Sequence, residues 1–169
     1  MQKFNIASRA VLAILLASST ATYAAPPVVV PSNVPATYVA MWKKGNAMEA
    51  KAAVKLTKAQ QKLAKANADI VTANTKQSTA SGEGSAASLD YMTLLESKPI
   101  ITSSISAQAY SKRLSDASKR WADADNRNSD GGKDLDKATR NKTSAEAEIV
   151  NAQTEIDQAR GMMAKAQGL

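Results

Sequence analysis

The sequence contains no cysteine and no histidine, a single phenylalanine, and only 4% aromatic residues in 169. Without thiols or imidazoles it can form no disulfide, no zinc centre built on nitrogen or sulfur, no cysteine nucleophile and no serine–histidine couple. Oxygen-ligand metal binding, carboxylate chemistry and binding remain open. Proline is confined to residues 26–35 and to Pro99, so most of the chain carries nothing that forbids a helix. The one continuous apolar run, Ala10 to Ala17, falls well short of the roughly 20 residues a spanning helix needs. What the chain has in quantity is alanine, 33 residues of it. A core built by this composition uses Ala, Leu, Ile, Val and Met in place of rings.

The first residues predict a compartment. Lys3 and Arg9 make a positive start, Ala10–Ala17 an apolar centre, and Thr22-Tyr23-Ala24 a small-x-small cleavage site. Residues 1–24 are therefore expected to be a signal peptide cleaved after about Ala24, which places the mature protein in a bacterial periplasm or outside the cell. Residues 25–35, rich in Pro and Val, form an extended leader, because proline at three separated sites prevents a helical ladder.

Residues 36–169 carry heptads. Leu56, Leu63 and Ile70 recur every seven residues, with Ala52, Ala59, Ala66 and Ala73 on the neighbouring seam position. The C-terminal segment repeats the design, with Leu135, Ile149, Ile156 and Met163 in one register, interrupted by Lys142, and Ala138, Ala145, Ala152, Ala159 and Ala166 in the other. Small residues on a seam let helix axes approach closely, each large side chain lying over an alanine. The fold expected is all-α, an elongated antiparallel three-helix bundle or coiled-coil hairpin with alanine seams. Its helices span about 36–79, 99–126 (with a short helix at 87–97 before it) and 132–167. Breaks are predicted at Ser81–Ser85, at Pro99 and at Asn126–Gly132, where turn-forming residues cluster. Folding back about Asn126–Gly132 would set Trp121 across from Ala138 and Leu114 from Ala145, and would place Arg127 near Asp134 and Arg113 near Glu148.

Charge is uneven. The formal charge is +7, and residues 36–80 hold eight lysines against Glu49 and Asp69. Lys44, Lys51, Lys58 and Lys65 share one heptad position and Lys55, Lys62 and Lys76 the adjacent one, making a stripe of about 31 Å from Lys44 to Lys65. The stripe Lys44, Lys51, Lys55, Lys58, Lys62, Lys65 suits an anionic partner such as a membrane surface or cell-wall polymer. Nucleic acid is disfavoured, because the stripe lacks interleaved aromatics and has no Arg for bidentate contacts. A second candidate surface is apolar: Leu89, Tyr91, Met92 and Leu95 crowd one short segment.

Sites for chemistry are sparse. Asn126, Asn128, Asp130 and Asp134 lie at the first, third, fifth and ninth positions of an EF-hand-like frame, a weak calcium candidate, because Lys137 stands where the twelfth position needs a bidentate carboxylate. Asp116, Asp123 and Asp125 have no apolar pocket to set one carboxyl against another. No catalytic residue and no cofactor is expected.

Leu56-Thr57-Lys58-Ala59-Gln60 matches the LTxxQ pattern of the Spy-like periplasmic chaperones, and over these five residues the chain resembles that family of secreted, basic, all-helical proteins that cradle unfolded clients. The resemblance implies a holdase activity. From the residues themselves, the leading expectation is a non-catalytic, secreted or periplasmic helical protein acting by protein–protein interaction or self-association, as an envelope scaffold, spacer or assembly factor. Holdase chaperone and peripheral binder of anionic lipid or cell-wall polymer are the alternatives.

Overall fold

The computed structural model describes residues 29–97 and 99–168. The expected signal peptide and the start of the leader lie outside the described residues. The described chain is helical without strands, and two long helices dominate it: α1, Val39–Glu96, and α2, Ser104–Ala166. At 1.5 Å per residue they are about 87 and 95 Å long. They lie antiparallel against each other along their lengths, as the bridges Lys55–Glu155, Lys76–Asp134 and Asp90–Arg120 require.

Two expected breaks are absent. Ser81–Ser85 is an uninterrupted part of α1, and Asn126–Gly132 an uninterrupted part of α2. The physical reason is the heptad itself. Ala117, Ala124, Gly131 and Ala138 are evenly spaced by seven across the second stretch, and Ala73, Ala80 and Ala87 across the first. A turn would break that phase, whereas a continuous helix buries every one of these residues. Gly and Asn lower helix propensity by a kcal/mol or less each, which seam packing overrides.

The chain reverses direction instead at residues 97–103. Ser97 closes α1, its N–H donating to the Thr93 carbonyl at 3.0 Å and its hydroxyl to that of Leu94 at 2.9 Å. Pro99 cannot continue a helix. Ser103 then opens α2 with a reciprocal capping box: the Ser106 N–H donates to the Ser103 hydroxyl at 3.2 Å, and the Ser103 N–H donates to the Ser106 hydroxyl at 3.1 Å. The Tyr110 hydroxyl ties the turn together by donating to the Leu94 carbonyl at 2.6 Å.

The buried set is almost entirely small. In α1 it runs Gly45, Ala52, Ala59, Ala66, Ala73, Ala80, Ala87, and in α2 Ala117, Ala124, Gly131, Ala138, Ala145, Ala152, Ala159, Ala166, each row stepping by seven. Closest approach is marked by the glycines. A β-carbon on Gly131 would lie 3.2 Å from the backbone N of Gln77, and one on Gly45 2.9 Å from the Ala159 carbonyl oxygen. With Gly131 under Gln77, carrying the register along the heptads sets Ile70 over Ala138, Leu63 over Ala145 and Leu56 over Ala152. Large does lie over small, but the alanines of α2 receive residues of α1, not of 99–126. The expected pairs Trp121 with Ala138 and Leu114 with Ala145 do not form, because all four residues belong to one helix. Arg127 pairs with Glu83, Asp134 with Lys76 and Glu148 with Lys62.

At the open end the leader is more than a tether. Pro31–Val34 makes a turn, the Val34 N–H donating to the Pro31 carbonyl at 3.1 Å, and a 3-10 turn, Ala36–Tyr38, leads into α1. Val34 is buried in a cluster with Trp42 and Ala166, against which Val30, Val39, Met41 and Met163 pack. This cluster holds the two free ends of the hairpin together.

Candidate binding surfaces

The charged residues of α1 between Ala50 and Leu95 fall into two adjacent rows. Lys55, Lys62, Asp69, Lys76, Glu83 and Asp90 form the row beside the seam, and all but Asp69 bridge to α2: Lys55 to Glu155 at 2.6 Å, Lys62 to Glu148 at 2.7 Å, Lys76 to Asp134 at 2.8 Å, Glu83 to Arg127, and Asp90 to Arg120 at 3.2 Å. Asp69 shares a groove with the uncharged Asn141. Nearer the open end, Arg160 pairs with Glu49 at 2.7 Å. These pairs are solvent-exposed, so each contributes a fraction of a kcal/mol, and their order along the helices matters more than any one of them.

This ladder divides the predicted lysine stripe. Lys55 and Lys62 are committed to α2, while Lys44, Lys51, Lys58 and Lys65, one row further out, have no carboxylate within bridging distance among the described residues. The outer row keeps the geometry expected of an anion-facing stripe. The inner row is an element of the fold that sequence reading assigned to a partner.

The predicted calcium frame is not assembled. Asn126, Asn128, Asp130 and Asp134 lie on a straight stretch of α2, where a helical rise spreads them along and around the axis instead of curling them about one point. Asp130 bonds Lys133 at 2.9 Å, and that hydrogen bond holds its carboxyl below the usual range. Asp134 instead bonds Lys76, which raises the lysine above its usual value. Among the described residues no three acidic groups converge to hold a metal. Lys142, on the seam, lies half-buried with its amine 3.8 Å from Glu146, its stem over the seam and its charge near solvent.

The hairpin end is the apolar part of the surface. Of the predicted patch, Leu89, Met92 and Leu95 are exposed, Leu89 by 68%. Tyr91 is the exception, half-buried against Trp121 with ring centroids 6.1 Å apart. Three residues absent from the predicted patch extend it: Ile100, 88% exposed, Ile101, 53% exposed, and Ile105, 77% exposed. The helix expected from residue 99 begins only at Ser104, so Ile100 falls in the turn. A sequence signal for this existed, since Pro99 to Ser111 holds three isoleucines and no charge. On the order of 600 Å² of apolar side chain is left uncovered around this one end, shared between the end of α1, the turn and the start of α2.

Compared with known proteins, the chain matches no family model, no curated relative and no solved structure. No helix among the described residues is long and apolar enough to cross a membrane.

Proposed function

We propose that this is a non-catalytic protein of the bacterial envelope that works by protein–protein interaction, a stiff spacer whose hairpin end is its binding end. The observation that carries the reading is the concentration of exposed Leu89, Met92, Leu95, Ile100, Ile101 and Ile105 at one end of a helical pair nearly 90 Å long. Such a rod fixes a distance, because each helix is continuous and the two are pinned in register by the ladder of bridges. Site-specific photo-crosslinking in the producing cell tests it. A crosslinker at Ile101 or Leu95 should give discrete protein adducts, and one at Val150, exposed on α2 far from the turn, should not. Equal labelling at all three positions, or none at the end, refutes the reading.

A second reading is favoured by the outer lysines. Lys44, Lys51, Lys58 and Lys65 repeat about every 10.5 Å along α1 and form no ion pair among the described residues, which suits an anionic lipid or polymer surface alongside the rod. Binding to vesicles containing phosphatidylglycerol should be salt-sensitive and lost in a triple Lys51→Glu, Lys58→Glu, Lys65→Glu variant. Binding that survives the triple reversal removes this reading.

A further inference from the structure

We infer that the partner covering the hairpin end is a second copy of this chain, laid antiparallel so that the last three turns of α1 pack on the same turns of the other copy. The inference rests on the reading of that end as the binding end and names its occupant. Leu89, Met92 and Leu95 recur every three residues along the side of α1, on the face turned away from its charged rows. The patch is thus lateral as well as terminal. A bilayer meeting the turn end-on would cover the isoleucines but would have to take in Asp90 to reach Leu89, whereas a helix lying alongside covers the row without touching the bridge of Asp90 to Arg120.

The same face also carries the matching recess. Below Leu89, residues 78–88 read Ser-Thr-Ala-Ser-Gly-Glu-Gly-Ser-Ala-Ala-Ser, and the one charge, Glu83, turns to Arg127. Gly82 has nothing within 4 Å of where a β-carbon would stand, so packing inside the hairpin gives no reason for a residue that weakens a helix by about 1 kcal/mol. A two-fold axis through Met92 supplies the reason. It sets Leu89 against Leu95 of the second copy and Met92 against its own counterpart, and carries the turn end of each chain toward the small residues below Leu89 of the other. The bulky end and the small stretch lie on one chain on opposite sides of Met92, as an isologous contact requires. Leu89, Met92, Leu95, Ile100 and Ile101 leave on the order of 450 Å² of apolar side chain bare on each copy, more than half of the roughly 800 Å² per partner of a standard interface, and the small residues 78–88 add to it.

Sedimentation equilibrium of the full chain should show a dimer at tens of micromolar. Met92→Glu and Gly82→Lys should each weaken dimerisation by at least about tenfold. Because Gly82 faces open space within the hairpin, the lysine variant should keep or raise helix content by circular dichroism, which separates lost association from lost folding. In this cysteine-free chain Met92→Cys should form a disulfide-linked dimer on oxidation, and Val150→Cys should not. A monomeric wild type, a dimer unchanged by Gly82→Lys, or a monomer that binds phosphatidylglycerol vesicles through the isoleucines overturns the inference. Crosslinks from Ile101 to a different protein, with no self-adduct, would also overturn it while leaving the spacer reading intact.

Discussion

The glycines of the seam give the sharpest test of how closely the helices approach. Four Gly→Ala substitutions share the same intrinsic gain, about 1 kcal/mol of helix propensity, and differ only in what the new methyl meets. At Gly161 it meets nothing within 4 Å, and at Gly84 it meets the Ala124 methyl at 3.5 Å and an Asp125 carboxylate oxygen at 3.6 Å, ordinary contacts. Both variants should gain most of that 1 kcal/mol, a rise in melting temperature of roughly 2–4 °C, with Gly161 at the low end because it lies near the end of α2. At Gly131 the methyl meets the Gln77 N and Cα at 3.2 and 3.3 Å, backbone that yields only if the helices part, so the propensity gain should be cancelled. At Gly45 it stands 2.8 Å from the Met163 Cγ and 2.9 Å from the Ala159 oxygen. Met163 can swing away but the carbonyl cannot, and overpacking of this kind costs about 1–3 kcal/mol, so Gly45→Ala should be net destabilising. Urea unfolding followed at 222 nm checks the order Gly84 above Gly131 above Gly45. If Gly45→Ala stabilises as much as Gly84→Ala, the close approach described here is wrong.

The bridge ladder predicts that Lys62→Glu costs roughly 0.5–1 kcal/mol by losing one attraction and facing Glu148 with a like charge, and that adding Glu148→Lys restores most of it in a double-mutant cycle. Independent, additive losses would mean the pair is not formed in solution. Stability should be flat between about pH 5 and 9, since no histidine or cysteine titrates there. Lys76 has a raised value, so its contribution is complete below the ordinary lysine pKa of 10.5 and fades as pH climbs through the folded one; Asp130 is lowered, so its contribution is present above 3.8 and fades as pH falls through the folded value. A transition near pH 6.5 in the melting profile would contradict this. At the open end, Trp42→Ala should cost about 3 kcal/mol, the low end for a buried aromatic because solvent borders the cluster, and should make the leader around Val34 sensitive to protease. Unchanged proteolysis would show that the leader is not docked.

Much of the fold is legible because alanine at every seventh residue is a strong signal, and Ala52, Ala59, Ala66 and Ala73 of α1 and Ala138, Ala145, Ala152, Ala159 and Ala166 of α2 are all seam residues. What failed was punctuation. Gly131-Gly132 and Gly82-Glu83-Gly84 carry the composition of turns, but heptad phase outranks composition at both. Ala117, Ala124 and Ala138 stand whole heptads apart across the first pair, which no loop of arbitrary length would preserve. The true reversal had the weaker composition, Pro99 with a serine cap at Ser103, but it is where the heptad phase breaks. Misplacing the turn displaced the surfaces in turn. Lys55 and Lys62 read as part of an outward stripe when Glu148 is folded against Arg113, whereas in the hairpin they meet Glu155 and Glu148. Leu89, Met92 and Leu95 survived because their exposure depends on local crowding along one helix, not on which segment faces which.

The alanine seam alone leaves the register undetermined. Every layer resembles the one seven residues away, so sliding α2 by a heptad exchanges one alanine for another at little packing cost. The bridging row removes that freedom. In the observed register the row makes five pairings of opposite charge, and Asp69 stands beside the uncharged Asn141. Slide α2 one heptad in one direction and Asp69 meets Asp134 while Lys76 meets Arg127; slide it the other way and Asp69 meets Glu148 while Glu83 meets Asp134. Each slip gives up attractions and adds two repulsions, so pairs that count for little singly together select one alignment in a helical pair that packing would leave ambiguous. The change of sign along α1, basic from Lys55 to Lys76 and acidic at Glu83 and Asp90, is therefore the feature that fixes where the hairpin turns.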